Sequence, residues 1–247
     1  MKIRCITIAL LALFIGLTHF YSPLAAIAQE DEARFWDWSN QLGRTPQDPP
    51  YLTLHYRVRS LYFSLEPHSV HPIVFLGDSM TDEGNWSRLF PQYPVLNRGI
   101  GGDSTLGVLH RLQQVTDLKP AKVFLMIGTN DLCYNRSIPD IMENYQRIID
   151  QVKQKSPETK IYVESVLPFN DELFPARNKR TNSNIKQLNR QIEQLAKNTG
   201  CRYLNLVPAF SDSNGRLPAV YTTDGLHLNE LGYQVWRDQI SGQVNLF

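Results

Sequence analysis

The sequence has few of the features that would settle a protein's nature at once. Its 247 residues include three cysteines, too few for a disulfide framework in a domain of this size. Charge of neither sign dominates: 25 Lys and Arg stand against 24 Asp and Glu, which gives no electrostatic case for a nucleic acid or an anionic membrane surface. No internal repeat and no low-complexity tract occurs, so a repeat array and a disordered chain are both set aside. The apolar run from Ile6 to Leu17 is too short to cross a bilayer. What remains is ordinary globular material, 42% hydrophobic and 20% charged, at a length that fits one domain better than two.

The first 28 residues differ from the rest. Lys2 and Arg4 precede the apolar run, and Ala26-Ile27-Ala28 is a small-x-small cleavage site before Gln29. Residues 1–28 therefore read as a signal peptide cleaved near Ala28, which predicts export to the periplasm or the extracellular space and no membrane span in the mature chain. An uncleaved N-terminal anchor is the alternative. Cys133 and Cys201 stay in the mature chain and are expected to be unpaired. Residues 29–70 read as an N-terminal extension whose aromatics, Tyr51, Tyr56 and Phe63 among them, pack on the main domain at 71–247. No chemistry is expected there. His55, His68 and His71 lack metal-ligand spacing and take surface or packing roles.

From residue 72 the pattern alternates. Ile73 to Leu76 is a short all-apolar run, as a strand buried on both faces should be. Further strands are expected at Val95-Leu96, Lys122–Ile127, Lys160–Leu167 and Arg202–Val207. Between them, helical spacing runs over Leu106–Val115, Pro139–Lys155 and Asn184–Asn198, and a last helix over Glu230–Ile240. Five rounds of strand and helix predict an α/β fold: a three-layer α/β/α sandwich on a mostly parallel five-stranded sheet. Functional residues should then follow the strands directly, at their carboxyl ends.

They do so in the sequence. The first strand runs into Gly77-Asp78-Ser79, the second into Asn97 to Asp103, the third into Gly128-Thr129-Asn130-Asp131. The loop after the fifth reaches Asp224-Gly225-Leu226-His227. Ester hydrolysis needs a hydroxyl, a base within reach of it, a carboxylate to orient the base, and N–H donors for the developing oxyanion. Ser79, His227 and Asp224 can supply the first three. The backbone N–H groups of Ser79 and Gly102 and the Asn130 amide can supply the last. Each segment alone is an ordinary turn or cap. Their placement, one at each strand exit, carries the reading.

These four segments resemble the conserved blocks of the SGNH hydrolases, the GDSL esterase/lipase family, over residues 73–240. The resemblance implies a flavodoxin-like fold with Ser79 as nucleophile, Asp224 and His227 as its partners, and Ser79, Gly102 and Asn130 as the oxyanion hole. It implies no cofactor and no metal. The detail around Leu96–Ile100 and Phe124–Gly128 is similar to the sialate O-acetylesterase-like and lysophospholipase/acetylhydrolase-like branches. Gly77-Asp78-Ser79 is not G-x-S-x-G, which excludes the α/β-hydrolase elbow.

The expected substrate is a small-molecule ester with a short acyl group, acetyl above all, on a polar alcohol or carbohydrate. The loop Pro168–Ser183 carries Asp171, Glu172, Arg177, Lys179 and Arg180, and no run reads as an apolar lid for a long chain. Three other readings stay open: a lysophospholipase or thioesterase acting on lipids, metal-assisted phosphoester hydrolysis using Asp78, Asp82, Asp103, Asp131 and His227, and an inactive binding module on the same scaffold. The residues do not indicate an oligomeric state.

Overall fold

A computed structural model describes residues 48–245. The expected signal peptide, its cleavage site and residues 29–47 lie outside these described residues.

Five strands form one parallel sheet: β1 Ile73–Gly77, β2 Val95–Gly99, β3 Lys122–Met126, β4 Lys160–Glu164 and β5 Arg202–Leu204. Their order is β2-β1-β3-β4-β5. After β2 the chain crosses back over β1 to lay down β3, so the β1/β3 boundary is the point where a crevice opens above the strand ends. The helices are α1 Leu54–Leu65, α2 Ser79–Asp82, α3 Trp86–Leu89, α4 Thr105–Arg111, α5 Gln113–Thr116, α6 Thr129–Cys133, α7 Ile138–Lys155, α8 Asn182–Thr199 and α9 Glu230–Val244. Two 3-10 turns, Val207–Phe210 and Ala219–Tyr221, lie between β5 and α9.

The two faces of the sheet have different cores, because side chains alternate along each strand. Val74, Leu76, Val123, Leu125, Ile161 and Val163 point to one face and pack in an aliphatic core under α4, α7 and α8. Ile73, Phe75, Phe124, Met126 and Tyr162 point to the other. There the register pairs Phe75 with Phe124 and Phe124 with Tyr162. Their rings stack at 5.1 and 4.7 Å, close to the spacing between strands. Trp86 of α3 stacks on Phe75 at 3.9 Å and meets Trp236 of α9 edge-on.

Several expected boundaries shift. The helix predicted over Leu106–Val115 divides at Leu112, whose N–H bonds three residues back to the Leu109 carbonyl rather than four. The fourth strand stops at Glu164, not Leu167, for a visible reason. The Asn189 side chain on α8 accepts from the Val166 N–H and donates to the Val166 carbonyl, both at 2.8 Å, in place of a neighbouring strand. The fifth strand accordingly ends at Leu204 rather than Val207. Cys133 and Cys201 are both free. Among the described residues no helix is long and apolar enough to cross a membrane.

Candidate active site

The site grows from the turn after β1. A methyl group on Gly77 would lie 2.3 Å from both the Met126 carbonyl and the Thr81 hydroxyl, so this strand end approaches β3 and α2 as only glycine can. Asp78 caps α2, its carboxylate accepting the Met80 N–H at 3.1 Å. Burial pushes the Asp78 carboxyl up to about 7. Ser79 follows as the first residue of α2, part-exposed at the sheet's carboxyl edge. The structure brings His227 to it: Nε2 lies 3.0 Å from Ser79 Oγ.

Asp224 holds that histidine from behind. One carboxylate oxygen lies 2.6 Å from His227 Nδ1. The other accepts the backbone N–H groups of Leu226 and His227, each at 2.8 Å. The carboxylate is therefore the centre of its own turn. Gly225 sits at φ +91° inside that turn, its N–H donating to Thr222 Oγ1 and its carbonyl accepting the Asn170 N–H. Burial would raise the Asp224 pKa, but its hydrogen bonds to the His227 ring and the backbone amides, with the imidazole's charge, hold it well below the usual carboxylate range. For His227, burial works toward a lower pKa. The Asp224 hydrogen bond and the charges of Glu83 and Asp224 outweigh it and raise the ring above its ordinary value. With Nδ1–H donating to the Asp224 carboxylate, Nε2 is free to accept from Ser79.

Gly102 and Asn130 come from the exits of β2 and β3. The Tyr134 hydroxyl donates to the Gly102 carbonyl at 2.7 Å. Asn130 is buried on α6, and one N–H of its amide donates to the Asp103 carbonyl at 3.0 Å, which leaves the second N–H. The Ser79 backbone N–H opens α2, ahead of the helix's own hydrogen-bond ladder. Of the five sequence-predicted site residues, Ser79, His227 and Asp224 are thus brought into contact, and Gly102 and Asn130 follow the ends of β2 and β3 on either side of β1.

The four other aspartates weighed as hard-cation ligands do not converge with His227. Asp78 caps α2. Asp103 pairs with buried Arg111 at 2.8 Å, and Arg111 also donates to the Gly77 carbonyl. Asp131 accepts from the Thr105 N–H and hydroxyl at 2.9 and 2.6 Å. Asp82 meets His55 and Arg59. Burial pushes Asp103 and Asp131 each up to about 6. They knit the turns together. Among the described residues no group of three or more His, Cys, Asp or Glu side chains is arranged to hold a metal ion.

Three contributors escape sequence reasoning. Asn97 donates to the carbonyls of Thr81, Asp82 and Gly84 and so ties β2 to the nucleophile's helix. Glu83 comes within 3.9 Å of His227 Nε2. His55, expected only to pack or face solvent, bonds Asp82 beside Gly101. Asn97 alone had a signal, its place within the second block.

A recess of about 10 Å³ adjoins the site, bounded by Met80, Met126, Leu167 and Leu226 and by Asp78 and Thr129. It has room for about one water-sized group. In the Pro168–Ser183 loop Phe169 and Asn170 are buried, while the exposed Asp171 and Glu172 pair with Arg216.

The sequence model of the GDSL-like lipase/acylhydrolase family matches residues 75–235. Platelet-activating factor acetylhydrolase IB subunit alpha1 of Bos taurus is 30% identical over 192 residues, covering 75% of this chain and 78% of that protein. The Homo sapiens subunit alpha1 is likewise 30% identical, with 79% of its length covered. Among solved structures, a GDSL-like lipase from Bacteroides thetaiotaomicron is 26% identical at a TM-score of 0.66, covering 76% of this chain and 96% of that one. A Streptococcus pneumonia protein named for platelet activating factor reaches a TM-score of 0.71 at 26% identity, covering 89% of this chain and 99% of its own.

Proposed function

The chain belongs to the GDSL-like lipase/acylhydrolase family and is an ester hydrolase, and we propose that it works by a Ser79–His227–Asp224 triad on short acyl esters. One observation carries the triad: a continuous run from Ser79 Oγ to His227 Nε2 at 3.0 Å and from Nδ1 to Asp224 at 2.6 Å. Ser79 Oγ attacks the ester carbonyl carbon as its proton passes to Nε2. Asp224 stabilises the imidazolium that forms. The carbonyl oxygen becomes an oxyanion that receives the N–H groups of Ser79, Gly102 and Asn130. Collapse expels the alcohol with the proton from Nε2. Water, activated by the same base, then releases the acid from the acyl-enzyme.

A short acyl group, acetyl above all, fits the recess beside Met80 and Leu226. That space takes a methyl-sized group and is too small for a longer chain, whose methylenes would each contribute about 0.8 kcal/mol only if buried. Relatives named acetylhydrolase support the same acyl preference. For the alcohol, the charged loop Asp171–Arg180 favours a polar or carbohydrate group. The relatives' name favours a second reading, in which the acetyl group sits on a lipid alcohol. A series of p-nitrophenyl esters from acetate to palmitate tests the acyl side. The expected kcat/KM is highest at acetate, and a steady rise beyond octanoate overturns the reading. Acetylated sugars set against acetylated glycerophospholipids decide the alcohol.

Export follows from the N-terminal pattern of Lys2, Arg4, Ile6–Leu17 and Ala26-Ile27-Ala28, with residues 71–247 as the hydrolase domain. N-terminal sequencing of the protein from its native host should find Gln29 first. A chain beginning at Met1 overturns cleavage.

A further inference from the structure

Helix α1 lies before the matched region 75–235 and holds no member of the triad. It nevertheless reaches the site from outside. His55 Nε2 lies 2.7 Å from one oxygen of Asp82, and an Arg59 guanidinium N–H lies 2.8 Å from the other. Asp82 closes the same short helix that Ser79 opens. The oxygen that meets His55 also accepts the Gly101 N–H at 2.9 Å, and Arg59 donates to the Gly99 carbonyl at 3.2 Å. The His55 ring rests against Gly101, 3.5 Å from where a methyl group there would stand. Ile100, between those glycines, is wholly buried against Tyr51, Tyr56 and Phe63 of the same N-terminal segment.

The geometry matters because of which peptide it brackets. The Gly102 N–H belongs to the peptide unit joining Gly101 to Gly102. On one side, Asp82 fixes the Gly101 N–H. On the other, the Tyr134 hydroxyl fixes the Gly102 carbonyl. The plane between them, with its N–H, has little freedom left. We propose that His55 and Arg59 are positioning residues. They lock the Asp82 carboxylate, and Asp82 aims the Gly102 N–H at the oxyanion. This rests on the reading of Gly102 as an oxyanion donor, and it assigns α1 to the working enzyme rather than to packing alone. An oxyanion donor matters in the transition state more than in the bound substrate. Loosening it should therefore appear in kcat and not in KM.

The test compares His55→Leu with His55→Gln, whose amide still reaches Asp82. The expected result for His55→Leu is kcat lower by about tenfold with KM within about twofold, since misplacing an aligned group by about 1 Å costs up to about a hundredfold. His55→Gln should recover most of the loss. In an Asp82→Asn background, His55→Leu should add little, because the two act through one carboxylate. If His55→Leu does not fold, His55→Asn, polar but one carbon too short, takes its place. Gln114→Ala removes contacts that dock α1 elsewhere, to the Ser60 carbonyl and the Ser64 hydroxyl. It should lower Tm and leave kcat unchanged. Wild-type kcat in a folded His55→Leu, a loss in KM alone, His55→Gln as poor as His55→Leu, full additivity with Asp82→Asn, or an equal kcat loss in Gln114→Ala each overturns the proposal. Ser79→Ala separates the two readings. If it still turns over ester, the triad reading fails. If it is dead beside a fully active His55→Leu, only the positioning role fails.

Discussion

The site has two halves built on different principles. The oxyanion half, at the exits of β1, β2 and β3, is overdetermined: Asp78, Asp103 and Asp131 are buried, each consumed by backbone, arginine or hydroxyl partners, and burial raises all three. The base half is one turn, Thr222 to His227, partly open to solvent, and its carboxylate is held low by the histidine it serves. The same side chain, aspartate, thus does opposite work. In the first half it fixes backbone so that N–H groups point one way without reorganising. In the second it remains charged, so that an imidazolium can form beside it. Rigid donors and a tunable base are the two requirements of acyl transfer, and the fold keeps them on separate pieces of chain.

Breaking both halves gives the largest effect. Ser79→Ala or His227→Ala should each lower kcat by up to about a millionfold, and the double variant should be little worse than either, because the halves meet in one unit. Additive losses, measured on p-nitrophenyl acetate, would show two independent functions instead. Breaking the oxyanion half alone should cost less. Asn130→Ala is expected to lower kcat by about a hundredfold with KM little changed. A pure KM effect would move Asn130 to substrate binding.

Tuning the base half is subtler. His227 must be neutral to accept the serine proton, and its pKa is raised, so kcat/KM should climb with pH through an ionisation above the ordinary imidazole value. Glu83 is one source of that rise. Glu83→Gln should move the acid limb to lower pH, and a limb that stays in place would remove Glu83 from the base's environment. The smallest effect on activity is expected from Glu164, a buried carboxyl in neither half. It ends β4, accepts the Trp236 indole N–H at 2.9 Å, and is pushed by burial up to about 8. Its folded pKa exceeds the unfolded one, so the folded state holds the proton more tightly, and stability is lost as pH rises from about 4.5 to about 8, at up to about 1.4 kcal/mol per pH unit. Glu164→Gln should flatten that slope in pH-dependent thermal melts while kcat stays unchanged. An unflattened slope would place the titration elsewhere.

The strands of the sheet were legible because a strand covered on both faces is a continuous apolar run, and Ile73–Leu76 and Lys122–Ile127 could hardly be anything else. The strand-exit segments were legible through their turn residues, and the structure gathers Ser79, Gly102, Asn130, Asp224 and His227 at one place. Where β4 ends was not legible, because the residue that ends it, Asn189, lies on another element. The packing of Tyr51, Tyr56 and Phe63 was legible, but the contacts of His55 and Arg59 were not, for a related reason. The helical stripe Leu54, Val58, Leu61, Leu65 is on the exposed side of α1, while the partly polar side, with His55, Tyr56, Arg59 and Phe63, faces the domain. Such contacts are made between residues far apart in the chain, and no periodicity encodes them.

His227 stands 148 residues after Ser79. At a synthesis rate of about 5–20 residues per second, roughly seven to thirty seconds pass between the making of the nucleophile and the making of its base. Throughout that interval the emerging chain carries an unactivated serine, chemically no more aggressive than any other hydroxyl. The distance between the two residues in sequence therefore acts as a clock. Hydrolysis cannot begin until the last loop has closed over the sheet, and turnover by this protein is in itself a report that the domain has folded.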